Sequence, residues 1–173
     1  TYGASLATAL ARRALRTADP ERFAPAVDRA GRWLRAAPTS NVLDAAAVLL
    51  GLEGDDDPEA IAQRRRSLDR IRTAEASRGG WGPFPNSPPE PFDTAVVLIA
   101  LAGRAGDDAD LPDRSALIRR GRDFLVAAQE EDGSWPETTR PAGGESYAQR
   151  LSTTGWALQA LLAVRGEAPA EGR

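Results

Sequence analysis

The chain has 173 residues, no Cys, no His and a formal net charge of -3. Those absences exclude a disulfide framework, a thiol nucleophile, a Ser-His-Asp triad and an ordinary zinc site, and leave carboxylates as the only acid or base groups of common catalytic use. Arginines are spread along the sequence without a basic footprint, so nucleic acid is not an expected partner, and Arg64-Arg65-Arg66 is read as a solvated face.

The segment through Leu15 is broken by Arg12, Arg13 and Arg16, which predicts a lone N-terminal helix rather than the apolar centre of a signal peptide. No Met occurs, and the chain is expected to be a processed product or an excised piece. Asp19-Pro20-Glu21 and Asp57-Pro58-Glu59 each set a carboxylate before a proline, the pattern of a capped helix start. Three apolar stretches then recur behind a polar residue, from Asp44 to Leu52, Asp93 to Leu101 and Thr153 to Leu161, with Asp44, Asp93 and Thr153 read as their caps. Amphipathic segments precede them and correspond as Arg29-Ala30-x-x-Trp33-Leu34, Arg66-Ser67-x-x-Arg70-Ile71 and Arg120-Gly121-x-x-Phe124-Leu125. In the last of these, Leu117, Ile118, Gly121, Phe124, Leu125 and Ala128 fall on one face at helical spacing.

The expected fold is therefore all-α. One domain over residues 1–173 holds three helical-hairpin repeats, about 20–54, 58–104 and 112–166, after the N-terminal helix, for seven helices in all. Helices apolar on nearly every side belong inside and one-faced helices outside, with Leu49, Leu98, Ile99, Leu158 and Leu161 buried. Gly79 to Pro91 and Gly133 to Glu145 read as ordered loops carrying Trp81 and Trp135. No apolar run approaches the ~20 residues of a spanning helix. Asp55-Asp56-Asp57-Pro58-Glu59 has a spacing that suits magnesium and a diphosphate, yet its position between repeats favours a solvated turn, as for Asp107-Asp108-Ala109-Asp110. No metal and no cofactor are expected.

The stretch from Arg120 to Trp135, with Gln129 and the closing Gly133-Ser134-Trp135, resembles the QW repeat of squalene-hopene cyclases and related terpene cyclases. Pro91-Phe92-Asp93-Thr94-Ala95 resembles the segment that carries their catalytic acid, and the similarity spans most of residues 29 to 165. The resemblance implies an α/α toroid, of which three hairpins make only a partial ring. It also implies structural roles for Gln129 and Trp135, with Glu75 and Trp81 as a degenerate copy: the Gln ties one outer helix to its neighbour and the Trp stacks over it. At the acid motif this chain reads Glu90-Pro91-Phe92-Asp93, so Phe92 stands at the place of the proton donor, and a phenyl ring has no proton to give.

No catalytic residue is assigned; Asp93 and Glu90 are the remaining candidates, and Phe92, Thr94 and Trp156 are candidates to face a ligand. The expected function is a terpene-cyclase-like repeat domain, non-catalytic by itself, that binds an apolar, isoprenoid-like molecule or a protein partner, with self-association as one way to complete the ring. Two alternatives are a portion of a class II squalene or terpene cyclase and a fragment of a carbohydrate-active α/α barrel using Glu90 and Asp93.

Overall fold

Local capping chemistry decides where the helices begin, and it corrects four expectations. The computed structural model describes residues 3–103, 111–140, 143 and 146–166. Along them run α1 (Gly3–Ala18), α2 (Ala24–Ala36), α3 (Val42–Gly51), α4 (Pro58–Ala74), α5 (Pro91–Ala102), α6 (Arg114–Ala127) and α7 (Tyr147–Ala163), with no strand among the described residues. Asp57 caps α4 as expected, accepting from the Glu59 amide at 2.8 Å. Asp19 instead accepts from the Arg22 amide inside a turn, and α2 starts only at Ala24.

Asp44, Asp93 and Thr153 are not caps. Asn41 caps α3, accepting from the Asp44 amide at 2.8 Å, so that Asp44 falls in the first turn. The chain enters α5 through Glu90, which leaves Asp93 in the first turn there too. Ser146 caps α7 by accepting from the Gln149 amide at 3.3 Å, and Thr153 lies well inside the helix. In each case the polar residue marks where the apolar stretch begins, whereas the helix starts earlier, at a residue whose backbone is still extended.

The helices form two layers. In the inner layer α3 lies between α1 and α5, and α5 in turn packs on α7; outside, α2 covers α1, α4 covers α3 and α6 covers α5. Each inner helix is thus paired with the outer helix that follows it. The N-terminal helix is not a lone element but the first inner helix of the series.

Composition explains the layering. Every residue of α3 except Leu43 and Asp44, and every residue of α5 except Ile99 and Ala102, is buried, as helices without a polar face require. Leu49 and Leu98 are in the core and Ile99 is half-buried. The expectation fails at α7, where Leu158 is 48% exposed and Leu161 only half-buried. The reason is positional: α7 is the last described helix of the inner layer, and no described outer helix packs on it as α6 packs on α5.

Arginines fasten the ends of the inner helices. Arg12 reaches the Val27 carbonyl at 3.2 Å, the Gly51 carbonyl and the Asp55 carboxylate at 3.1 Å, and Arg35 meets the same carboxylate at 3.1 Å. Burial lowers the Arg12 pKa while Asp55 opposes that shift. Asp55 is therefore an ionic hub and not part of a solvated turn. Arg64, also expected in solvent, donates to the Leu52 carbonyl at 2.9 Å, and Arg114 donates to the equivalent Leu101 carbonyl at 3.0 Å. Among the described residues no group of three potential metal ligands occurs; Asp107, Asp108 and Asp110 lie outside them. No described helix is long and apolar enough to cross a membrane.

Candidate functional site

Two Trp-bearing loops, one per repeat, are built on the same hydrogen bonds. Trp81 Nε1 donates to the Ile71 carbonyl at 2.8 Å, and Trp135 Nε1 donates to the Leu125 carbonyl at 2.7 Å. Their backbone amides donate to Thr94 Oγ1 at 2.9 Å and to Thr154 Oγ1 at 3.1 Å. The turns before them close alike, with Ala76 N to Gly80 O at 3.0 Å and Glu130 N to Ser134 O at 2.9 Å. Gly79 and Gly133 occupy the same turn position at φ +85 and +82, which glycine adopts without steric cost. Both indoles are buried. Thr94, a candidate to face a ligand, has no exposed surface and spends its hydroxyl on Trp81, from which it accepts and to which it also donates at 3.2 Å.

The residues at the Gln position diverge. Glu75, following α4, makes two hydrogen bonds with Arg120 of α6, at 2.6 and 2.7 Å, joining neighbouring outer helices. Those bonds raise the Arg120 pKa, against a smaller opposing effect of burial. Gln129, following α6, is exposed and among the described residues donates only within its own loop, to the Gly133 carbonyl at 3.0 Å. Beside it Glu130 and Asp132 pair with Arg150 of α7.

At the α5 N-terminus the structure brings together Glu90, Phe92, Asp93 and Trp156, and adds Arg140, which no sequence pattern singled out. Phe92 is buried and meets the Trp156 ring edge-on, with centroids 5.9 Å apart and planes at 83°. Asp93 is fully buried and its Oδ2 pairs with Arg140 Nη2. Arg140 Nη2 also lies 3.5 Å from Glu90, whose carboxylate accepts from Thr139 Oγ1 at 2.6 Å.

Burial raises the Asp93 pKa from 3.8 to about 7; Arg140 pulls it down and Glu90 pushes it up. Desolvation prevails because the guanidinium is partly solvated while the carboxyl is not. Asp93 Oδ1, Arg140 Nε, Gln149 Oε1 and Thr153 Oγ1 are buried without a hydrogen-bond partner among the described residues. Glu90 and Asp93 converge on one guanidinium.

Sequence reasoning also missed the bare face of α7. Tyr147, Leu151, Leu158 and Leu162 recur at helical spacing and are 78%, 55%, 48% and 60% exposed. Gly155 lies in the same row, and a Cβ there would meet nothing within 4 Å. The signal was available in the α7 spacing, but it looked like the core pattern of α3 and α5. No protein-family model matches the chain, and comparison with curated proteins finds no match.

Proposed function

We propose that this is a terpene-cyclase-like repeat domain of the α/α-toroid type that performs no cyclisation by itself and serves as a scaffold, engaging a protein partner through the exposed apolar face of α7. One observation carries the reading. Phe92, at the place of the proton donor, is buried against Trp156, and its neighbour Asp93 is held by Arg140, so the acid position is filled by packed side chains. Protonating an alkene requires a neutral, strongly acidic carboxyl facing substrate in a dry cavity. The exposed row on α7 is the accessible apolar surface on which an interaction can be built.

The alternative of a cyclase portion draws support from Asp93, whose raised pKa leaves a substantial protonated fraction near neutrality. Incubation with squalene and shorter polyprenyl substrates, followed by gas chromatography of the extract, separates the two. The scaffold reading predicts that substrate is returned unchanged by the chain and by its Phe92→Asp variant. Cyclised product from the unmodified chain overturns it. Product from Phe92→Asp alone also overturns it, by revealing a working cavity that lacks only its acid. The carbohydrate reading is disfavoured, because Glu90 and Asp93 share one cation.

A further inference from the structure

Asp93 Oδ1, Arg140 Nε, Gln149 Oε1 and Thr153 Oγ1, each buried without a partner among the described residues, belong to one place. Oδ1 shares a carboxyl with the Oδ2 that holds Arg140 Nη2, and Nε belongs to that same guanidinium. Gln149 Nε2 donates to the Arg140 carbonyl at 3.3 Å, which sets its Oε1 beside the same residue. Thr153 follows one turn later on the same face of α7, and it stands where Asp93 stands on α5, the helix against which α7 packs. Asp93 and Thr153 are 0% and 1% exposed, so bulk solvent reaches neither.

The sequence explains why α5 lacks a donor of its own here. On α3 the capping residue serves the first-turn carboxylate, with Asn41 Nδ2 donating to Asp44 Oδ2 at 2.9 Å. On α5 the capping position is Glu90, which has no N–H to give and itself accepts from Thr139. Two carboxylates therefore depend on one guanidinium, and Arg140 serves a single Asp93 oxygen. A buried acceptor left unpaired is costly, so a donor from outside the chain is favoured.

The chemistry of the four atoms defines that molecule. Oδ1 and Oε1 only accept, Nε–H only donates, and the Thr153 hydroxyl does either. An anion would be repelled by Asp93 and could take nothing from Gln149 Oε1, while a metal cation would face the Arg140 N–H. A neutral O–H matches every atom. We propose that one water molecule is bound in the seam between the start of α5 and α7, donating to Asp93 Oδ1 and Gln149 Oε1 and accepting from Arg140 Nε–H and the Thr153 hydroxyl. Buried waters make about three hydrogen bonds, and up to four, with polar groups that would otherwise lack partners. The inference does not rest on the scaffold reading, since a seam water is compatible with any activity assigned to the domain. Its consequence concerns Asp93: water is a far stronger base than a carbon–carbon double bond, so a proton released by that carboxyl passes to the water first.

A crystal structure of the full chain, at a resolution where internal waters are ordered, tests the site. Density for a water within hydrogen-bonding distance of at least three of the four atoms is expected. Thermal and chemical denaturation of Thr153→Val adds a sign that a dry seam would reverse, because the substitution keeps the side-chain shape and removes the hydroxyl. With a water bonded to Thr153, the variant leaves that water short of a partner and the unfolding constant should rise about threefold to tenfold. With a hydroxyl that bonds nothing, Val is the better buried residue and the variant should melt higher. The inference is overturned if Arg140 Nε closes directly onto Asp93 Oδ1, if no water touches three of the atoms, or if Thr153→Val melts at or above the native temperature.

Discussion

The second and third repeats, 58–104 and 112–166, carry the same Trp anchor between their two helices and differ in what lies above it. At Trp81 the loop is closed over by α6, with Gly121 seated on Leu98 and Glu75 bound to Arg120. At Trp135 the indole makes the same bond to an outer-helix carbonyl, yet Leu158 and Gln129 remain exposed. The anchoring chemistry of a repeat is therefore local, whereas burial of its inner helix depends on the next outer helix. That is the nearest-neighbour logic of a repeat array, in which each unit keeps its own bonds and is buried by its neighbour.

The contrast predicts graded effects. Trp81→Ala should cost about 3 to 5 kcal/mol, through lost burial and the cavity left behind. Trp135→Ala should cost less within that range, because no described outer helix lies over it as α6 lies over Trp81. Chemical denaturation of both variants measures the difference, and a larger loss at Trp135 would contradict the comparison.

Asp93 on α5 and Thr153 on α7 hold equivalent repeat positions, so replacing the carboxyl on α5 makes the two alike in charge. A carboxyl with a raised folded-state pKa binds its proton more tightly when folded; its stabilising contribution is complete below 3.8 and lost as pH rises to about 7. Melting temperatures of the native chain relative to Asp93→Asn should fall with rising pH across that window and level off above it. A difference that stays constant or rises with pH would show that Arg140, not burial, governs Asp93.

Smaller effects separate the two glycines. Gly121→Ala should destabilise by about 1 to 3 kcal/mol, since its Cβ would press on Trp81 and Leu98. Gly155→Ala, with open space around it, should stabilise by up to about 1 kcal/mol through helix propensity alone. Thermal melts check both signs. Smallest is the Gln position: Glu75→Ala should cost about 1 kcal/mol, because Arg120 is partly solvated, and Gln129→Ala should stay within about 0.5 kcal/mol.

The helices and their two-layer order were legible because apolar stretches without a polar face can only be inner. The caps were less so: Ser146-x-x-Gln149 is a start signal that the apolar onset at Thr153 overshadowed. Arg140 left no trace, since its partners Glu90 and Asp93 are 47 and more positions away and an isolated loop Arg has no periodicity to betray it. Leu158 was misjudged for a different reason. Its spacing is that of a core residue, and only the position of α7 at the end of the inner layer, which is tertiary information, makes it a surface residue.

Fluorescence of a hydrophobic dye tests the open end most directly. The native chain should enhance the dye's emission, and the double variant Leu158→Glu, Leu162→Glu should lose that enhancement while keeping its helical circular-dichroism spectrum. A native chain that leaves the dye dark, or a double variant that binds it equally well, would contradict the claim that α7 presents the bare face of an inner helix.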